Sequence, residues 1–194
     1  MVRPREFDRD EALQRAMRVF WAKGFAATST DDLVQAMGIG RQSLYNAFGD
    51  KKRLYLEALD AYQQGSVAGH LRRLSAPASP LAGLRDLLAG LAADDDGLRA
   101  LGCMGVGSVG EFGTSDAEVA ALRAKAAAPL RGRLIERIRE GQASGEIAPA
   151  LDAGDAADFV QMTMTGLQLA ARGGAGIADL HRMAAFAVDR LKAR

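Results

Sequence analysis

Three glycines, Gly24, Gly38 and Gly49, cut the first fifty residues into one helix of about four turns and two much shorter ones, with no alternating run from which a strand can form. The first segment opens at Asp8, whose carboxylate is placed to cap it while Glu11, three residues on, reaches back. Leu13, Ala16, Met17 and Phe20 then make one apolar stripe. The second segment is announced by "TSTDD": Thr30 is placed to cap, and Asp31 and Asp32 set negative charge at the positive end of the helix dipole. Its apolar face is Leu33, Val34 and Met37. The third, within "GIGRQSLYNAF", has almost nothing to bury. Leu44 and Phe48, at i and i+4, form a single anchoring face, and Arg41, Gln42, Ser43, Tyr45 and Asn46 are left outside it.

Helical spacing continues to the end of the chain, so the fold class is all-α with about nine helices. Asp50 caps a long fourth helix that fades near Ser75, and "SAPASP" is the clearest linker. Pro80 suits the first turn of a fifth helix. The sixth segment, "LRALGCMGVGSVGEFG", is glycine-rich and either loosely helical or very closely packed. Ser115 and Glu118 predict a capping box for a long seventh helix, with Pro129 as a kink, and two last helices are expected over 155–172 and 177–193.

No apolar run approaches the ~20 residues of a membrane span, and the N-terminus lacks an apolar secretion segment, so the expected compartment is the cytoplasm and no membrane partner is expected. Cys103 is the single cysteine and has no internal partner for a disulfide, in agreement with a reducing compartment. The net charge of +1 conceals an asymmetry: residues 1–54 carry ten Lys/Arg against seven Asp/Glu, and the remainder carries 15 against 17. His70 and His181 have no partners at metal-ligand or triad spacing, so the sequence calls for no enzyme, cofactor or metal.

Two short helices joined by a tight glycine-containing turn, behind a longer one, make the arrangement whose second short helix enters the major groove of DNA. Gln and Asn can read an adenine edge, Ser can donate or accept, and Arg can hold guanine or phosphate. Lys51, Lys52 and Arg53 crowd the first turn of the fourth helix, where positive charge is disfavoured unless a phosphate sits there.

At these residues the chain resembles the TetR family of transcriptional regulators. The resemblance rests on "ALQRAMRVFWAKGFAATSTDDLVQAMGIGRQSLYNAFGDKKRLYLEAL", with a Gly-Phe turn after the first helix, a Thr at the start of the second, and Leu-Tyr-x-x-Phe followed by Asp-Lys. It implies a DNA-binding head over residues 1–50 and a ligand-binding, dimerising body over 51–194. It also implies that Tyr45 and Lys51 hold phosphates, that Thr30 caps and touches the DNA backbone, and that Arg41, Gln42, Ser43 and Asn46 face bases of double-stranded operator DNA. The sequence departs from the family at Gly40, where Ser or Thr is usual, and at Arg53, where an acidic residue is usual. Arg3 and Arg5 of the arm "VRPRE" are further candidates for a groove or phosphate.

In the body, two stripes suit either packing on their own chain or pairing with a second copy, the latter favoured because a helix-turn-helix reader uses two half-sites: Phe159, Met162, Gly166, Leu167 and Ala170, then Leu180, Met183, Ala184, Ala187 and Leu191. Leu59, Tyr62, Leu87, Leu91, Met104, Phe112 and Leu122 are the candidates to line a pocket for a small, mostly apolar ligand. Arg99, one turn before Cys103, and a nearby helix start suggest a possible redox or electrophile sensor at that cysteine. The expected function is a ligand-released, homodimeric repressor. The alternatives are a repressor acting through Cys103 and a helical adaptor whose head binds protein.

Overall fold

The computed structural model describes residues 7–193; Arg3 and Arg5 lie outside the described residues. Among those described there are ten helices and no strand: α1 (Arg9–Lys23), α2 (Thr30–Met37), α3 (Arg41–Phe48), α4 (Lys51–Ser75), α5 (Pro80–Ala89), α6 (Asp96–Leu101), α7 (Met104–Phe112), α8 (Ala117–Ala143), α9 (Ala153–Arg172) and α10 (Ile177–Asp189). The fold is all-α, as expected. The tenth helix arises because the glycine-rich sixth segment breaks in two at Gly102, which adopts φ +61°. None of these helices is long and apolar enough to cross a membrane.

Two caps differ from expectation. Ser29, not Thr30, caps α2: its hydroxyl accepts the Asp32 N–H at 3.1 Å and the Asp32 carboxylate accepts the Ser29 N–H at 2.9 Å. Thr30 is therefore the first residue of the helix. Asp116, not Ser115, caps α8 by accepting the Val119 N–H at 3.0 Å, while Ser115 donates to the Phe112 carbonyl. In both places the two neighbouring residues are capable caps, and a shift of one position decides which backbone N–H groups each can reach. Asp8 caps α1 as expected, but Glu11 turns to Arg15 instead of closing the box. Pro129 lies inside α8, which continues through it.

The core divides into two clusters. One joins α1, α2 and α3 to the first half of α4 and reaches Met104 of α7 and Val119 of α8. The other joins the end of α4 to α5, α8, α9 and α10. The expected division at residue 50 thus separates helices but not cores, because Leu54, Tyr55, Ala58 and Leu59 of α4 are buried with the head. At roughly 37 Å, α4 spans both clusters. Gly83 lets α5 approach it closely: a Cβ there would lie 2.3 Å from the Leu74 carbonyl oxygen.

Candidate DNA interface and ligand cleft

The third helix is held from beneath. Leu44 is fully buried and Phe48 nearly so, and the Arg9 guanidinium lies 4.4 Å from the Phe48 ring while pairing with Glu57 at 2.6 Å. Gly40 starts α3 without a side-chain cap, with nothing within 4 Å of where a Cβ would stand. The outer face presents Arg41, Gln42, Tyr45 and Asn46 to solvent, with Ser43 half-buried beside them. Gln42 donates to Asn46 at 3.0 Å, so the two amides hold each other along one ridge. Arg41 pairs with Asp31 at 2.6 Å, an exposed contact that binding can exchange at little cost.

The three cations at the start of α4 part company. Lys51 lies 4.4 Å from the Phe25 ring centroid, close to the α3 end, and Arg53 is exposed. Lys52 turns inward and pairs with Asp116, which is held below the usual carboxylate range by that bond first. Of the three, Arg53 is exposed, Lys51 is half-buried against the Phe25 ring, and Lys52 ties head to body.

A cleft of about 560 Å³ opens between α4, α7, α8 and α9. Its walls are mainly apolar, with Val67, Val106, Val109, Leu130 and Met164, and the alanines Ala120, Ala124, Ala126 and Ala127 leave the space. Tyr62, Gln63, Ser66, His70, Arg123, Gln161, Thr165 and Gln168 supply its polar groups. Burial, then the Arg73 charge, holds His70 down at about 4, so its imidazole is neutral near pH 7. Burial likewise pushes the Tyr62 phenol up.

Of the candidates for this pocket only Tyr62 lines it. Leu59 is fully buried in the head-side core and Leu87 in the body core. Phe112 stacks among Phe25 and Tyr55 at 5.3 and 5.4 Å, and Leu122 packs on the same cluster. Leu91 and Met104 border two other grooves, of about 780 and 510 Å³. Large apolar residues at helical spacing were drawn into the core; the cleft is made where α8 carries alanine instead, a signal present in "AALRAKAAA".

Cys103 precedes α7 and borders the cleft beside Tyr62. The Arg99 guanidinium, expected to act on this cysteine, is instead bonded to the Ala93 and Asp94 carbonyls and to Asp96.

On α9 and α10, Phe159, Met162, Gly166, Ala170 and Met183 are exposed on the outer face. Leu167, Leu180, Ala184, Ala187 and Leu191 are buried in their own chain, at no more than 8% exposure, so they support that face from within and do not touch its outside. Leu169 and Phe186 were missed. They are 60% and 55% exposed and complete the outer stripe, at seven residues from Met162 and three from Met183, spacings that keep each on its neighbour's face.

A polar helix carried on a helix-turn-helix support is the reading element of one class of protein, the DNA-binding regulators. Residues 12–58 match the family model described as bacterial regulatory proteins, tetR family. The chain is 31% identical over 186 residues to the HTH-type transcriptional repressor ComR of Escherichia coli K12, covering 94% of this chain and 88% of that protein. It is 33% identical to a cysteine mutant of the TetR family transcriptional regulator CifR, solved with 26bp double-strand operator DNA, with a TM-score of 0.76 and coverage of 96% of this chain and 98% of that one. A TetR-family regulator from Cytophaga hutchinsonii shares the fold, with a TM-score of 0.83 over 100% of this chain and 99% of that one at 21% identity. The chain belongs to the tetR family of bacterial regulatory proteins, and it is a DNA-binding transcriptional regulator.

Proposed function

We propose that the protein is a homodimeric repressor that reads one operator half-site with each α3 and leaves the DNA when a small, mostly apolar ligand fills the cleft. Gln42, Ser43 and Asn46 face bases, Arg41 exchanges Asp31 for base or phosphate, and Tyr45, Lys51 and Thr30 rest on the backbone of the duplex. The exposed apolar stripe of Phe159, Met162 and Leu169, with Met183 and Phe186 beside it, supports pairing of α9 and α10 with their copies.

The observation that carries ligand release is the position of α7. Cys103, Gly105, Val106 and Val109 line the cleft, and both ends of the same segment grip the head. Trp21 Nε1 donates to the Gly102 carbonyl at 3.1 Å, and the Glu111 carboxylate accepts the Phe25 and Ala26 N–H groups at 2.8 and 3.0 Å. A ligand that displaces α7 therefore changes the seat of α1 as well as the angle of α4. It acts only as far as it binds the released state better.

Fluorescence anisotropy with duplexes selected from the source genome tests this. The expected result is tight binding that weakens steeply between low and physiological salt, at two half-sites about one helical turn apart. Binding without salt dependence, or to a single half-site by a monomer, contradicts it.

A further inference from the structure

Several polar groups of the cleft lack partners. Gln63 is only 8% exposed and its Oε1 accepts no hydrogen bond. His70 contacts Ser66 through Nε2 at 3.1 Å while its Nδ1 is buried and unpaired. Arg123 donates from Nη2 to the Gly113 carbonyl at 2.5 Å, leaving Nη1 buried and unpaired. Among the described residues Arg123 forms no ion pair, whereas Lys125 reaches Asp60 and Arg131 reaches Asp158. Arg123 is half-buried, and with no direct ion pair and one buried N–H unspent it can take an anionic oxygen at little cost.

These groups stand at opposite ends of α7. Gln63 Nε2 lies 3.5 Å from where a Gly105 Cβ would sit, and Arg123 bonds to Gly113, eight residues or about 12 Å further along the helix. Between them the walls are Val106, Val109 and the alanines of α8.

We propose that the cleft takes an elongated, amphipathic organic acid: an anionic oxygen group facing Arg123, an apolar middle, and a hydroxyl or N–H group toward Gln63 at the other end. This rests on the reading of the cleft as the ligand site. A single cation suits one carboxylate and not a polyphosphate, and a cleft of about 560 Å³ is ample for a chain or ring system of this length.

The probes are ω-hydroxydecanoate, decanoate and decanediol, titrated calorimetrically into the full chain. The expected result is one acid bound per chain, with ω-hydroxydecanoate about tenfold tighter than decanediol. Arg123→Gln removes that preference and leaves decanediol within about twofold, Arg123→Lys restores much of it, and Gln63→Leu removes the advantage of ω-hydroxydecanoate over decanoate. Ala124→Trp, which fills the cleft, abolishes all three. Equal affinity for acid and diol, or parallel loss of both in Arg123→Gln with Arg123→Lys no better, overturns the proposal. Binding of the acid by Ala124→Trp overturns it as well, by placing the acid elsewhere. Release of DNA by decanediol but not by the acid in the wild type, and by neither in Ala124→Trp, overturns the acid class while leaving ligand release standing.

Discussion

Glu111 Oε2 accepts the backbone N–H of Phe25 at 2.8 Å, across 86 positions of sequence, and so fastens a helix that lines the cleft to the turn between α1 and α2. Glu111→Ala removes this bond and its companion to Ala26. Because the carboxylate is exposed, the expected cost in stability is modest, about 1 kcal/mol by urea unfolding. The larger expected effect is on coupling: ligand binds the variant normally but releases DNA less completely. Full release by Glu111→Ala would move the coupling elsewhere.

The same junction depends on Gly24. Its φ of +81° is strained for other residues, and a Cβ there would lie 2.7 Å from Glu111 Oε1. Gly24→Ala is expected to lower stability by about 1–2 kcal/mol. Gly40→Ser, at φ −75° with open space around it, is expected to raise stability by a few tenths of a kcal/mol by supplying the missing cap of α3. Thermal unfolding of the two variants should therefore move in opposite directions.

Phe186 is 55% exposed on α10, with Arg190 stacked 4.8 Å from its ring centroid, whereas Leu180 on the same helix is buried. Phe186→Asp is expected to weaken association by about 2 kcal/mol, roughly thirtyfold in the dissociation constant, with little loss of monomer stability. Leu180→Ala should do the reverse and cost about 2–4 kcal/mol in folding. Sedimentation equilibrium and denaturant unfolding separate the two.

Burial, with the Arg73 charge behind it, places His70 at about 4 in the folded chain against an ordinary 6.5. The unfolded chain binds the proton first, so the stabilising contribution is complete above about pH 6.5 and is lost as pH falls toward 4. The wild type is expected to lose stability across this window more steeply than His70→Gln. Parallel curves for the two would place the acid sensitivity elsewhere.

The head was legible in the sequence because its signals are local. Gly24, Gly38 and Gly49 stop helices where the chain places them, and Leu44 and Phe48 leave only one way for α3 to face. Caps were legible to within one residue, since Thr30 and Ser29, or Ser115 and Asp116, are chemically equivalent candidates until backbone geometry chooses. The cleft was not legible from its large apolar residues. Leu59, Leu87 and Met104 satisfy the same periodicity whether they fill a core or line a void, and only the packing of four helices leaves the void beside alanines. For the same reason Leu167 and Leu180 could not be told from Leu169 and Phe186, which lie on the same helices but face outward.

In the proposed mode of binding, the outer face of α3 reads bases while Lys51 and Tyr45 hold the backbone. Selection of bound duplexes from a randomised pool, followed by salt-titrated anisotropy on the selected site, tests both parts at once. Gln42→Ala and Asn46→Ala are expected to relax base preference within each half-site, at about 1–3 kcal/mol of discrimination, with little change in the salt dependence. Lys51→Ala should leave the selected sequence unchanged and reduce the slope of log affinity against log salt by about 1 per half-site. An unaltered sequence preference in both Gln42→Ala and Asn46→Ala would contradict the account.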